Sequence, residues 1–166
     1  MNLENLISPL VEKLPATAKL KLFGLAKIPL LFATNPKVVK LDDSTAEVEI
    51  PLNYFTKNHV GCMYFGALSI GADCVVAMHA LQIARSFPGY TVTPIFKDFR
   101  ADFYKRAEDD VLFVCTEGEK IKQMVELAIS SGERVTDSIT ATAYTPNLGS
   151  DPVAQFTLGL SLKAKK

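Results

Sequence analysis

Between Asn58 and Arg85 the sequence runs NHVGCMYFGALSIGADCVVAMHALQIAR, and this stretch constrains everything around it. From Tyr64 to Ala84 it is apolar except at Ser69, Asp73, His79 and Gln82, and Pro88-Gly89 follows as a stop. Length and flanks predict a helix over about Tyr64 to Arg85. A carboxylate halfway along a lone membrane span would be costly, so a core helix buried on nearly all sides is expected instead. The small residues Gly66, Ala67, Ser69, Gly71, Ala72, Ala77 and Ala80 would let a sheet approach it closely.

Outward from this helix, the flanking segments read mostly as sheet. Lys37–Leu41 and Thr45–Pro51 predict a hairpin turning at Asp42-Asp43-Ser44, followed by a polar loop over Asn53–Met63. Downstream, Thr91–Arg106 places Phe99, Ala101 and Phe103 on one face, and Val111–Thr116 is a second strand. Arg134–Tyr144 and Val153–Lys163 alternate apolar and polar residues cleanly, and Thr145–Pro152 joins them. Glu119–Ser130 carries Ile121, Met124, Val125 and Ala128 at helical spacing, although Ile121, Val125, Leu127 and Ile129 also suit a strand. Upstream, Leu3, Leu6, Ile7, Leu10, Val11 and Leu14 predict an amphipathic helix ending near Pro15. A short helix over Thr17–Leu25 ending at Gly24 follows, and then an extended stretch between Pro29 and Pro36.

A sheet must cover its apolar face. The expected class is therefore α+β, a six-stranded antiparallel sheet wrapped around one long central helix, with an extra N-terminal helix. Residues 1–30 form a helical extension, and 31–166 form the main domain.

Composition narrows the function. The chain has 166 residues, 48% of them hydrophobic, with 18 Lys plus Arg against 18 Asp plus Glu. One domain with its own core fits that length. Zero net charge argues against a nucleic-acid binder, which needs a clustered basic excess. Cys62, Cys74 and Cys115 form no CxxC pair, so neither a disulfide framework nor a metal site is expected. They read as small buried hydrophobes in a reducing, cytoplasmic setting. No secretory signal is expected from the first residues, which place Glu4 and Glu12 in the apolar run.

Asp73 is the residue that could carry chemistry. It stands alone between Ala72, Cys74, Val75 and Val76, where desolvation would raise its pKa. Seven residues earlier, Gly66 lies in the first helical turn, whose N–H groups have no intrahelical acceptor and suit a developing negative charge. Asn58-His59-Val60-Gly61 leads into that turn. The plainer reading of Asp73 is a buried structural carboxylate bonded across a dimer interface. For Asn58 it is a turn residue, for Gly66 close packing, and for His59 an ordinary loop histidine. His79 reads as a core or interface residue.

The stretch NHVGCMYFGALSIGAD, Asn58 to Asp73, resembles the signature of hot-dog-fold thioesterases. It is most similar to the phenylacetate-degradation thioesterase-like branch and to a related bacterial hot-dog family of unassigned function. Gly66 and Asp73 match that pattern's last glycine and acid at the right separation, and Asn58 matches its loop Asn. Tyr64-Phe65 replaces the usual His-Gly. The resemblance implies a fold extending from about Pro36 to Lys163. It also implies hydrolysis of an acyl-CoA or acyl-carrier-protein thioester, without a cofactor, at sites shared by two subunits.

By position, Asp73 would be the base or nucleophile, the backbone near Phe65 or Gly66 the oxyanion donor, and Asn58 a positioning group. His59 and Tyr64 would border the substrate. Arg100, Lys105 and Arg106 (with Lys97) could hold coenzyme A phosphates, but Asp98 and Asp102 are interleaved, as on a solvated face. A homodimer joined edge to edge is the expected assembly, with further pairing into a tetramer left open. Two other functions stay open. One is a non-catalytic acyl-thioester or lipid-binding module, suggested by Tyr64-Phe65. The other is a dehydratase or hydratase using His59 and Asp73.

Overall fold

The computed structural model describes residues 14–166; the predicted helix over Leu3–Leu14 lies almost wholly outside that range. The described chain opens with α1 (Ala16–Lys27) and α2 (Pro29–Ala33), then β1 (Lys37–Leu41) and β2 (Ala46–Ile50). The long helix α3 (Phe65–Ala84) follows, then β3 (Thr91–Phe103), β4 (Val111–Cys115), α4 (Gly118–Ser131), β5 (Val135–Tyr144) and β6 (Pro152–Lys165). The six strands form one antiparallel sheet in the order β1-β2-β4-β5-β6-β3.

Local chemistry explains the elements. The β1–β2 turn is tied by Asp42, whose Oδ1 accepts from the Ser44 and Thr45 backbone N–H groups at 2.9 and 2.8 Å. The Ser44 hydroxyl donates to the same oxygen at 2.7 Å, and this bond, followed by the two backbone ones, holds the carboxyl well below the usual range. The 118–131 segment is helical, as Ile121, Met124, Val125 and Ala128 are all buried, and Gly132 ends it at φ 67°.

Two expectations about the N-terminal region fail. Gly24 does not end α1: the helix runs on to Lys27, and a Cβ on Gly24 would lie 3.1 Å from the Phe32 backbone nitrogen. The glycine instead lets α2 fold back against α1. The stretch after Pro29 is not extended either, because Pro29 begins α2, where its missing N–H costs nothing.

The helix α3 packs in the hollow of the sheet, against β2, β3, β4 and β5, with α4 alongside. It is long and apolar enough to cross a membrane, with a mean hydropathy of 1.5, yet Ala72, Val75, Val76 and Ala80 are core residues against the sheet. Phe113 and Phe156, both fully buried, face it from the strands. The expectation of burial on nearly all sides is only partly met. Gly66, Ser69, Ile70, Asp73, Ala77 and Met78 are half-buried and Leu81 is exposed, so one stripe of α3 points away from the sheet. A single sheet wraps only one side of a helix, and α1 and α2 cover the remainder incompletely.

The closest approach is at Gly71, where an added Cβ would lie 2.2 Å from Phe113 Cε2. Glycine to alanine inside a helix ordinarily stabilises by about 1 kcal/mol, but here overpacking against an immovable ring dominates. Gly71→Ala should therefore destabilise the fold by about 1–2 kcal/mol in chemical denaturation, and a variant at least as stable as the parent would refute this contact.

Candidate functional site

The loop before α3 is held by its own hydrogen bonds. Asn58 N–H donates to the Cys62 carbonyl at 2.8 Å, and Gly61 N–H returns to the Asn58 carbonyl at 3.1 Å. Gly61 takes φ 87°, a conformation costly for any residue with a Cβ. The Asn58 side chain serves this turn: Oδ1 accepts from Val60 N–H at 3.0 Å and Nδ2 donates to Cys62 Sγ at 3.2 Å. Tyr64 N–H bonds the Thr56 carbonyl at 2.7 Å, which anchors the start of the helix.

The first helical bond of α3 is from Leu68 N–H to the Tyr64 carbonyl, 3.0 Å. The N–H groups of Phe65, Gly66 and Ala67 precede it, and among the described residues none has an acceptor. Over this end lie two exposed aromatic rings, Tyr64 and Phe65, with centroids 4.8 Å apart. A Cβ on Gly66 would sit 2.5 Å from Tyr64 Cε1, so the Tyr64 ring occupies the space that the glycine leaves.

Six of the sequence-picked residues border one groove of about 310 Å³ at this end of the helix: Asn58, His59, Tyr64, Phe65, Lys105 and Arg106. Lys105 Nζ is 2.6 Å from Asp151 Oδ2, an exposed ion pair at the groove's rim. Arg100 stands apart on β3, where its Nε meets Asp102 Oδ2 at 3.2 Å.

Asp73 does not line this groove. Seven residues beyond Gly66, roughly 10 Å along the axis at helical rise, it borders a separate cavity of about 230 Å³ between α3 and the α1–α2 pair. Leu20, Phe23, Ile28, Leu31, Leu41, Ala77, Met78 and Leu81 give that cavity its apolar lining. Lys19 and Arg85 also line it, but neither comes within ion-pair distance of Asp73 among the described residues. Burial alone raises the Asp73 pKa above 3.8.

Other reactive groups are muted. Desolvation, with Asp73 nearby, pushes the Cys74 thiol up to about 12, and burial pushes Cys115 to about 11. Neither supplies thiolate near neutral pH. His79 is fully buried with Nδ1 3.4 Å from Cys115 Sγ, and desolvation lowers its pKa, which keeps it neutral. Among the described residues no group of three His, Cys, Asp or Glu side chains is placed to hold a metal ion. The Asp73 cavity is the feature that sequence reading missed. Its α1 and α2 walls lie more than forty residues upstream, and only the apolar run from Leu20 to Leu31 hinted at them.

This arrangement is the hot-dog fold, and solved structures share it. A Chlorobaculum tepidum protein of unknown function superposes with a TM-score of 0.74 at 14% identity, over 89% of this chain and 93% of its own. A Pseudomonas aeruginosa protein described as of unknown function, probable thioesterase, gives 0.70 at 19% identity, over 92% and 97%. A single-residue variant of another P. aeruginosa protein, a thioesterase, gives 0.64 at 13% identity, over 92% and 97%. At these identities the likeness speaks for the fold. No curated protein matches the sequence. Residues 17–145 match the family described as a domain of unknown function, DUF4442, and the chain belongs to that family. The match begins inside α1, so the helices walling the Asp73 cavity fall within the family's span.

The raised pKa has a consequence for stability. Burial favours the protonated carboxyl, so the folded chain keeps a proton that the unfolded chain has already released. Stability is then lost as pH climbs from the unfolded value, near 3.8, through the raised folded one. Asp73→Asn should accordingly be more stable than the parent at pH 7 and equal to it near pH 3, as read by urea midpoints at both values. A parent as stable as the variant at pH 7 would contradict the desolvated carboxylate.

Proposed function

We propose that the chain hydrolyses an acyl thioester, with Asp73 as general base or nucleophile. The observation that carries this reading is a desolvated carboxylate without a partner among the described residues. It lies on the uncovered stripe of α3, two turns from a free helix N-terminus. Catalytic carboxylates are tuned this way, since desolvation that raises the pKa makes the carboxylate a stronger base. The fold, shared with thioesterases, supports the same chemistry.

In the base route, Asp73 takes a proton from water as the water oxygen bonds to the thioester carbon. The carbonyl electrons move onto oxygen, where the N–H groups of Phe65 and Gly66 stabilise the charge. The intermediate collapses, breaking the C–S bond, and the thiolate takes a proton from Asp73. The products are a carboxylic acid and a thiol. The groove with Lys105 and Arg106 suits the phosphates of coenzyme A or of an acyl-carrier protein. Asn58 would shape the entrance through its turn, and His59 and Tyr64 would border the substrate. The branch akin to phenylacetate-degradation thioesterases remains part of this reading, as do action in the cytoplasm and the absence of a cofactor.

We further propose a homodimer joined along β3. This edge strand has 13 residues with Ile95, Phe99 and Phe103 exposed, whereas the opposite edge, β1, has five and carries Lys37 and Lys40. Sedimentation should give twice the chain mass; a monomer at micromolar concentration would refute the β3 joint.

One observation favours a second reading, a non-catalytic acyl-thioester binder: the Tyr64 ring lies over Gly66 and the free N–H groups. A panel of acyl-CoA thioesters, followed by thiol release, separates the two. Hydrolysis is expected, with kcat falling roughly 10²- to 10⁴-fold in Asp73→Asn, while Arg106→Ala raises KM for coenzyme A thioesters. Binding without turnover in the parent, and turnover gained by Tyr64→Ala, would favour the binder instead. A dehydratase using His59 and Asp73 would instead release water from a 3-hydroxyacyl thioester, which the same panel can include.

A further inference from the structure

We infer that the cavity between α3 and the α1–α2 pair is the acyl-chain site, and that these N-terminal helices measure an aliphatic acyl group of about nine carbons. This rests on the thioester reading of Asp73. It goes further by assigning the substrate's apolar end to walls contributed by the same chain as the carboxylate.

Three observations converge. Leu20, Phe23 and Leu31 from the short helices and Ala77 and Met78 from α3 make a mainly apolar chamber, which Asp73 faces from mid-helix and whose lining Lys19, Gln82 and Arg85 complete. The apolar part of such a lining takes methylenes. The volume sets the length: an apolar cavity of roughly 150 Å³ holds benzene, so about 230 Å³ holds about nine carbons on the same scale. The order along α3 is also right for an extended thioester. The groove with Lys105 and Arg106 comes first, then the free N–H groups at Phe65 and Gly66, then Asp73, then the chamber. A headgroup, a reacting carbonyl and a chain need that sequence of surroundings.

Ala77 is the gauge residue. It is half-buried on the chamber wall one turn past Asp73, so Ala77→Leu would insert three carbons into the space. Phe23→Ala, at a half-exposed ring on α1, would lengthen it.

The test uses S-alkyl-CoA thioethers, which lack a carbonyl and bind without turnover, alongside hydrolysis of straight-chain acyl-CoA from two to sixteen carbons. Thioether affinity should rise about fourfold per methylene, level off at about nine carbons, and level off at about six in Ala77→Leu. In Phe23→Ala, which guards against a folding failure of the first variant, the plateau should move to longer chains. Hydrolysis should peak at the same lengths. If the thioethers behave this way but nothing is hydrolysed, the acyl site stands and the catalytic role of Asp73 falls. If hydrolysis proceeds with a chain-length profile that neither substitution shifts, the catalytic reading survives and this assignment is overturned. Absence of both binding and turnover removes the two together.

Discussion

A missing side chain sets how closely α3 approaches the sheet. Gly71 places bare backbone against the Phe113 ring, at a separation that no Cβ would allow. With the helix seated that deeply, Ala72, Val75, Val76 and Ala80 reach the core. The opposite stripe, from Gly66 through Asp73 to Leu81, is left outside the reach of the strands. Asp73 and the free N–H groups at the start of α3 lie on that stripe, so the depth of one helix in one sheet fixes the orientation of the candidate chemistry.

The stripe is electrostatically uneven. At its start, unpaired N–H groups form a partial positive pole. Midway, Asp73 faces an apolar chamber that does not stabilise its charge. These opposite demands are separated by two helical turns. In the proposed hydrolysis, a polarisable carbonyl between them would be drawn to the N–H groups through its oxygen and attacked from the carboxylate side. The nearby cysteines add no nucleophile, since burial keeps Cys74 and Cys115 protonated.

Much of the fold was legible because periodicity survives in single segments. Alternation in 134–144 and 153–163 located β5 and β6, and four apolar residues at helical spacing located α4. The α1–α2 pair was harder to read. Its apolar residues fall all round the helix, and Pro29, which suggests an extended chain, is also a favourable first helical residue. For the site, the sequence picked out Asp73 and the free N-terminus of α3, since both are local properties of one helix. It did not separate the residues into a groove and a chamber. That partition depends on α1 and α2 folding back over α3, and on Arg100 turning to Asp102 on an exposed strand. Asn58 shows the same limit: its type suggested positioning of substrate, and its side chain is occupied in holding the loop.

The account stands on the Asp73 carboxyl being desolvated and without a counter-charge in the folded chain. Titration of its side-chain carbon by ¹³C NMR, assigned through Asp73→Asn, reads that directly. The expected midpoint lies above 3.8, the value for an unperturbed aspartate. A midpoint at or below that value would mean that a cation, a donor or bulk water stabilises the charge, and the carboxylate would then be a surface group with no claim to the chemistry.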